Sequence, residues 1–339
     1  MKAIQIEKPG KLDIIEMAKP KAGPLEVVIK VTSGSICGSD VGIYKGTNSL
    51  ASYPAIIGHE YGGVVVEVGS MVSNVKAGDL VAVDPVRICG HCYACTHGRQ
   101  NVCQDVKVAG VHLPGGFAEY VAAPADRVHQ VDPARIPADR VCLVEPYSIG
   151  VQVNHRGRVA KGDRVLVMGC GPAGLCIMQE AKTRNAIVMM SDVMDSRLEE
   201  AKNMGADVIV NVRNRDIHEF VNEFTGGEGM PVVIDAACTL ESFPLALDLA
   251  SPAGRVVILG LLAAPSAVAS VAITKKELDV VGSRLNNRRF PEVIDSMERG
   301  LYTPERLRTH SFPFTEAQKA FDLILNHPDQ VRKIILMFE

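Results

Sequence analysis

The stretch RVLVMGCGPAGLCIMQEAK, residues 164 to 182, constrains the fold more than any other. An apolar run ends at Met168, the chain turns through Gly169, Cys170, Gly171, Pro172, Ala173 and Gly174, and helical periodicity follows. A GxGxxG pattern alone is a weak signal. Between a strand and a helix it is a strong one, because small residues let the backbone approach a pyrophosphate at the helix N-terminus. The next apolar run, AIVMMSD, ends in Asp192, eighteen residues past Gly174. A carboxylate there accepts hydrogen bonds from the adenosine ribose hydroxyls and repels a 2′-phosphate, so NAD is expected rather than NADP. Met194 and Asp195 follow, and the nearest arginine, Arg197, stands slightly further on, counted with the cofactor-binding set. ADVIVN, PVVIDAA, GRVVILG and LDVVGSR read as further buried strands, with helices near 195–204, 216–224 and 241–250. Six strands with short crossovers predict an α/β, doubly wound parallel sheet.

That sheet does not use the whole chain. At 339 residues two domains are expected. Residues before about 150 are rich in strand patterns and turn signals such as KAGD and LPGG, which predicts a β-rich domain. A net charge of -3 with no basic run argues against nucleic acid as a partner. The start, MKAIQIEKPG, has no apolar core of a secretory signal, so a cytoplasmic location is expected. Val256 to Thr274 is nineteen residues without a charge, but Gly260, Pro265, Ser266 and Ser270 interrupt it. It reads as a buried strand entering a loop, and no membrane span is expected.

Four of the nine cysteines, Cys89, Cys92, Cys95 and Cys103, follow the pattern C-x2-C-x2-C-x7-C. Disulfides are not expected in a chain without an export signal. Four thiolates complete a tetrahedral zinc shell with no open position, which predicts a structural zinc. His91 and His97 lie in the same lobe but are not needed as ligands. Cys142, Cys170, Cys176 and Cys238 sit in apolar surroundings and are expected in the core.

A second metal centre is spread more widely. Cys37-Gly38-Ser39-Asp40 and Gly58-His59-Glu60 bring a thiol, an imidazole and carboxylates, the ligand types of a catalytic zinc that keeps a position open. Glu145, in VEPYS, is either a further ligand or a solvated loop residue by pattern alone.

On these motifs, together with Glu145-Pro146, the cysteine lobe and the glycine-rich turn, the chain resembles the zinc-dependent medium-chain dehydrogenases over nearly all its length. VDPVRICGHCYAC, VIDAAC and SRLNNRRFPEVID resemble a bacterial group labelled starvation-sensing proteins, with relatives acting on L-gulonate and L-galactonate at carbon 5. The resemblance implies a GroES-like catalytic domain at 1–150, a Rossmann NAD-binding domain at 151–284 inserted into it, and a completing segment at 285–339. It implies two zinc ions per subunit, the catalytic one surrounded by Cys37, His59 and Glu145, with Glu60 bound directly or through water. It implies that Ser39 relays the alcohol proton and that Asp40 orients His59. Many relatives carry a histidine shortly after the relay serine. Here the chain runs Val41-Gly42-Ile43-Tyr44, so the proton path must use water or Tyr44.

The implied reaction is hydride transfer between NAD and a secondary alcohol, with zinc as Lewis acid. Ser283 at the end of the last nucleotide-domain strand is assigned to the cofactor. Arg284 and Asn286 just after it are assigned to a substrate carboxylate, which arginine suits by its planar fork. The expected substrate is a sugar acid, L-gulonate first, with L-galactonate or a sorbitol-type polyol as alternatives. A homodimer or homotetramer is the expected assembly. A zinc-free reductase and a non-catalytic nucleotide- and metabolite-binding sensor are the rival readings. The complete metal-and-relay set favours the enzyme.

Overall fold

The computed structural model describes residues 1–262 and 264–338, so Ala263 in the uncharged stretch and Glu339 at the end of the last segment lie outside the described residues. The chain forms two compact units, Met1–Glu145 together with the segment that begins at Asn286, and Pro146–Leu285.

The first unit is built on a mixed sheet. Its order is Val128–Gln130, Leu80–Val83, Glu60–Val68, Glu26–Ser35, Lys333–Met337, Arg308–Pro313, with Tyr120–Pro124 also paired to Glu26–Ser35. The long strand EVVIKVTSGS is rich in β-branched residues, which suit a pleated surface, and it puts Val27, Ile29 and Val31 into the core. The C-terminal strand pairs antiparallel with it, Ile335 opposite Ser35 and Met337 opposite Ser33. Phe321, Ile334 and Leu336 therefore share one core with Phe117 and with Ile4 and Ile6 from the other end of the chain. A small antiparallel pair, Val86–Arg87 with Lys107–Val108, closes the base of the cysteine lobe.

The second unit is the expected parallel sheet. Its six strands run in the order Val208–Asn211, Ile187–Asp192, Arg164–Met168, Met230–Asp235, Ala250–Ile258, Asp279–Gly282. Val165 to Val167, Val188 to Met190 and Val232 to Ile234 are all fully buried, as strands covered on both faces must be. The helices Asp195–Asn203, Ile217–Thr225 and Ser242–Leu249 stand where the periodicity predicts. Helix Pro172–Thr183 can pack on the sheet only because Gly174 lacks a side chain, since a Cβ there would lie 2.0 Å from the Gly169 carbonyl oxygen. The uncharged stretch is the end of strand Ala250–Ile258, a loop and the one-turn helix Val271–Thr274. Among the described residues no helix is long and apolar enough to cross a membrane.

Candidate active site

Strand Glu26–Ser35 ends two residues before Cys37, which caps the N-terminus of helix Gly38–Lys45. Asp40 in the first turn is fully buried. Its Oδ2 accepts the Cys37 N–H at 2.8 Å and its Oδ1 accepts the Gly58 N–H at 3.3 Å. One carboxylate thus fastens the two ligand-bearing segments to each other. The same Oδ1 lies 3.6 Å from His59 Nδ1, an electrostatic contact beyond hydrogen-bond length. Burial opposes a charge on His59, but Asp40 and the Cys37 sulfur outweigh it and raise the pKa well above the ordinary value.

Cys37, His59 and Glu60 each present a ligand atom within 4.8 Å of the others. Ser39 Oγ stands 3.4 Å from His59 Nε2. His59 Nδ1 is buried and has no hydrogen-bond partner, Asp40 being in electrostatic contact only. A thiol, an imidazole and a carboxylate converging in this way fit a zinc ion. Glu145 is buried in the first turn of helix Val144–Arg156 and is not part of that three-residue cluster. Burial pushes its carboxyl up to about 8, with the His59 charge opposing and Glu60 adding to the rise. An acid held this way gains a metal ion more readily than it keeps a bare charge, so it fits a ligand position beside the cluster.

Two residues that the sequence reading missed complete the surroundings. Lys333 Nζ donates to both Glu60 oxygens, at 2.8 and 2.9 Å, and to the Ile36 carbonyl at 3.3 Å. The Ser35 hydroxyl also donates to Glu60, from the residue directly opposite on the neighbouring strand. Glu60 already carries one cation, so a metal ion there shares it with Lys333. The available signal was a lysine heading an otherwise apolar strand, KIILM, which buries a charge that needs a partner.

The four sulfurs of Cys89, Cys92, Cys95 and Cys103 also lie within 4.8 Å of one another. Cys89 and Cys103 are 3.4 Å apart, Cys92 and Cys103 3.9 Å, and none of the nine cysteines is disulfide-bonded. Zinc–sulfur bonds of about 2.3 Å in a tetrahedron give sulfur–sulfur edges of about 3.8 Å, so the knot is sized for zinc. The Gln104 N–H leads the effects that lower the Cys92 thiol to about 6, toward the thiolate a metal requires. His91 and His97 turn their Nδ1 atoms to the Cys89 and Tyr93 carbonyls, at 3.0 and 2.8 Å.

In the nucleotide unit, Gly171 caps helix Pro172–Thr183, and a Cβ on it would meet no protein atom within 4 Å. Protein packing does not require glycine there, whereas close approach of a pyrophosphate does. Asp192 Oδ2 accepts the Cys170 N–H at 2.8 Å, and its Oδ1 accepts the Val193 and Met194 N–H groups at 2.8 and 3.0 Å. Three of a carboxylate's roughly four acceptor positions are taken, which leaves about one for the ribose rather than a pair. Arg197 lies within electrostatic reach of Cys170 in the turn. The Ser283 N–H continues the sheet to the Ile258 carbonyl at 2.9 Å, and its buried Oγ has no partner.

Asn286 corrects the sequence reading. Its side chain is buried, its Nδ2 donates to Asp84 Oδ1 at 3.2 Å, and its Oδ1 accepts the Arg289 N–H at 3.4 Å. The amide fastens Asp84 inside the first unit and is not an open substrate donor. Arg284 belongs to the other unit and is half-buried. The Tyr44 ring lies 5.2 Å from Phe321, and its hydroxyl accepts Gln318 Nε2 at 3.2 Å.

The model of the alcohol dehydrogenase GroES-like domain matches residues 23–133, and that of the zinc-binding dehydrogenase matches 172–299. Starvation-sensing protein RspB of Escherichia coli K12 is 42% identical over 342 residues, covering 100% of this chain and 99% of the relative. An L-threonine 3-dehydrogenase of Pyrococcus horikoshii is 34% identical, covering 100% of this chain and 99% of its own. The crystal structure of the RspB alcohol dehydrogenase from E. coli CFT073, complexed with NADH, superposes with a TM-score of 0.95 at 42% identity. It covers 100% of this chain and 99% of that one. The β-rich unit is therefore GroES-like and the parallel sheet its Rossmann partner. The cysteine knot holds a structural zinc and the Cys37 cluster a catalytic one. The chain belongs to the zinc-dependent medium-chain dehydrogenases and is an NAD-dependent enzyme of that family.

Proposed function

We propose that this dehydrogenase oxidises a sugar acid at a secondary alcohol, with L-gulonate and NAD+ giving D-fructuronate, NADH and a proton. L-galactonate is the nearest competitor. When bound, zinc supplies Lewis acidity at the alcohol oxygen and NAD accepts the hydride. Asp40 holds His59 and Cys37 in register. Ser39 Oγ, beside His59, takes the hydroxyl proton as its own moves on. Water or Tyr44, whose hydroxyl accepts from Gln318, carries the proton on to solvent.

The observation that carries the substrate class is Arg284. It stands two residues past Gly282, where the last strand of the nucleotide sheet ends, and ligands in such folds bind beyond the carboxyl ends of the strands. An arginine there offers bidentate recognition to a carboxylate that a simple polyol lacks. The same reading takes the protein as a cytoplasmic homodimer or homotetramer.

The test is NAD reduction across L-gulonate, L-galactonate, sorbitol and L-threonine. The aldonates should be turned over best, and Arg284→Met should raise KM for them by about tenfold or more while barely moving it for sorbitol. Robust turnover of sorbitol or threonine with neither aldonate refutes the reading.

A further inference from the structure

A second cavity, of about 370 Å³, lies in the first unit, and none of Cys37, Ser39, His59, Glu60 or Glu145 lines it. Its walls are largely apolar, with Met17, Ile56, Leu113 and Val121 among them. Tyr61 and Arg87 also face it. Tyr61 follows Glu60 on strand Glu60–Val68, and successive side chains on a strand point to opposite faces. Glu60 therefore looks to the metal cluster, while Tyr61 looks the other way.

Tyr61 is 1% exposed, yet its hydroxyl has no hydrogen-bond partner. A buried hydroxyl left unpaired costs free energy, and such groups in native folds ordinarily await a ligand or water. Arg87 is half-buried beside the Val86–Arg87 and Lys107–Val108 pair, and one guanidinium N–H reaches the Asp84 carbonyl at 3.4 Å. The guanidinium and the phenol are near enough to interact electrostatically without bonding to each other. Burial pushes the Tyr61 phenol up to about 12, so at neutral pH it is a donor. Two donors thus face one cavity, and the Tyr61 hydroxyl has no partner.

The remaining charges agree. Arg87 is the only basic side chain lining the cavity among the described residues. Glu26, the only acid lining the cavity among the described residues, is tied to the Gly23 N–H at 3.2 Å. With Glu26 tied to its own turn, Arg87 and the Tyr61 hydroxyl are the groups left to meet an anion, and the apolar walls suit a hydrocarbon body rather than a bare inorganic anion.

We propose that this cavity is a second ligand site, separate from catalysis, for a small monocarboxylate with an apolar tail, its carboxylate bridging the Tyr61 hydroxyl and the Arg87 guanidinium. The planar fork of arginine matches a carboxylate, and the tail lies along Met17, Ile56 and Val121.

The test uses zinc-loaded protein with isotope-labelled methionine methyl groups, titrated with octanoate and separately with octan-1-ol. The Met17 methyl resonance, assigned through Met17→Leu, should shift saturably with octanoate and far less with the alcohol. Arg87→Met should weaken that response about tenfold or more, and Tyr61→Phe, which keeps the ring, about threefold to tenfold. Should Arg87→Met fail to fold, Tyr61→Phe decides alone. An unmoved Met17 signal, equal affinity for the alcohol, or wild-type affinity in the variants overturns the proposal. Octanoate that inhibits turnover while leaving Met17 unmoved is binding at the catalytic metal, and it overturns the proposal too.

Discussion

The two metal centres of this protein are built in opposite ways. The structural knot draws all four ligands from residues 89 to 103, and backbone N–H groups at Cys89 and at Gln104, the next residue on, donate to its sulfurs. The catalytic centre draws Cys37 from a helix N-terminus and His59 and Glu60 from the start of a strand. It is then braced by Asp40 within and by Lys333 from the far end of the chain. A closed shell needs only to hold its ion, so a short loop suffices. An open one must keep a coordination position vacant, and that demands ligands fixed by packing the ion itself does not supply.

The comparison breaks most visibly where the ion is the packing. The lobe has only one-turn helical pieces and a two-residue strand pair at its base. Cys95→Ser should therefore remove about one zinc per subunit and unfold or aggregate the lobe, because binding energy at a structural site is folding energy. Metal analysis that still finds two full zinc equivalents in the variant would falsify the knot. His59→Ala should act differently. Loss of a ligand in a pre-built frame should cut turnover by about a thousandfold or more, several kcal/mol of charge stabilisation, while the fold stands. NADH binding, on the Rossmann unit, should be nearly unchanged, and fluorescence titration of the cofactor reads this directly.

The same contrast decides what the sequence disclosed. The cysteine knot and the Gly169 to Gly174 turn were legible because their chemistry is written in consecutive residues. The helices near 195, 217 and 242 were legible because parallel strands and their crossover helices alternate in simple periods. Helix Gly38–Lys45 was missed, since eight residues with two glycines carry little helical signal. Lys333 was missed because its partner lies 273 residues away. Asn286 was misread for the same reason. A polar residue after a strand looks like a site until Asp84, 202 positions distant, is found holding it.

Lys333→Met sharpens the comparison at the level of stability. Lys333 and Glu60 are 3% and 1% exposed, and removing one partner of a buried pair leaves an uncompensated charge. The metal-free protein should lose about 3 kcal/mol, read by denaturant unfolding. With zinc restored the loss should shrink, because the ion takes over the charge of Glu60. A loss that zinc does not reduce would show Lys333 to be a brace for the strand pairing alone.

Glu145→Gln is the smallest change and the most discriminating. Burial holds the carboxyl at about 8 in the metal-free fold, against an ordinary value of 4.5. The folded state then binds more protons than the unfolded chain between those values. Its stabilising contribution is full below pH 4.5 and is lost as pH rises through about 8. Glutamine mimics the protonated acid in shape and neutrality, so the metal-free variant should match the parent in acid and surpass it increasingly as pH rises from 4.5 to about 8. Unfolding midpoints across that range measure the difference. Zinc reverses the sign, because an ionised carboxylate beside the cation is then favourable. Glu145→Gln should therefore weaken retention of the catalytic zinc by about tenfold, within the range seen for supporting groups around a metal. Competition with a chelator reads this while the structural zinc stays bound. If the variant holds both zinc ions as tightly as the parent and keeps full turnover, Glu145 is a buried acid of the helix start. The catalytic centre would then rest on Cys37, His59 and Glu60 alone.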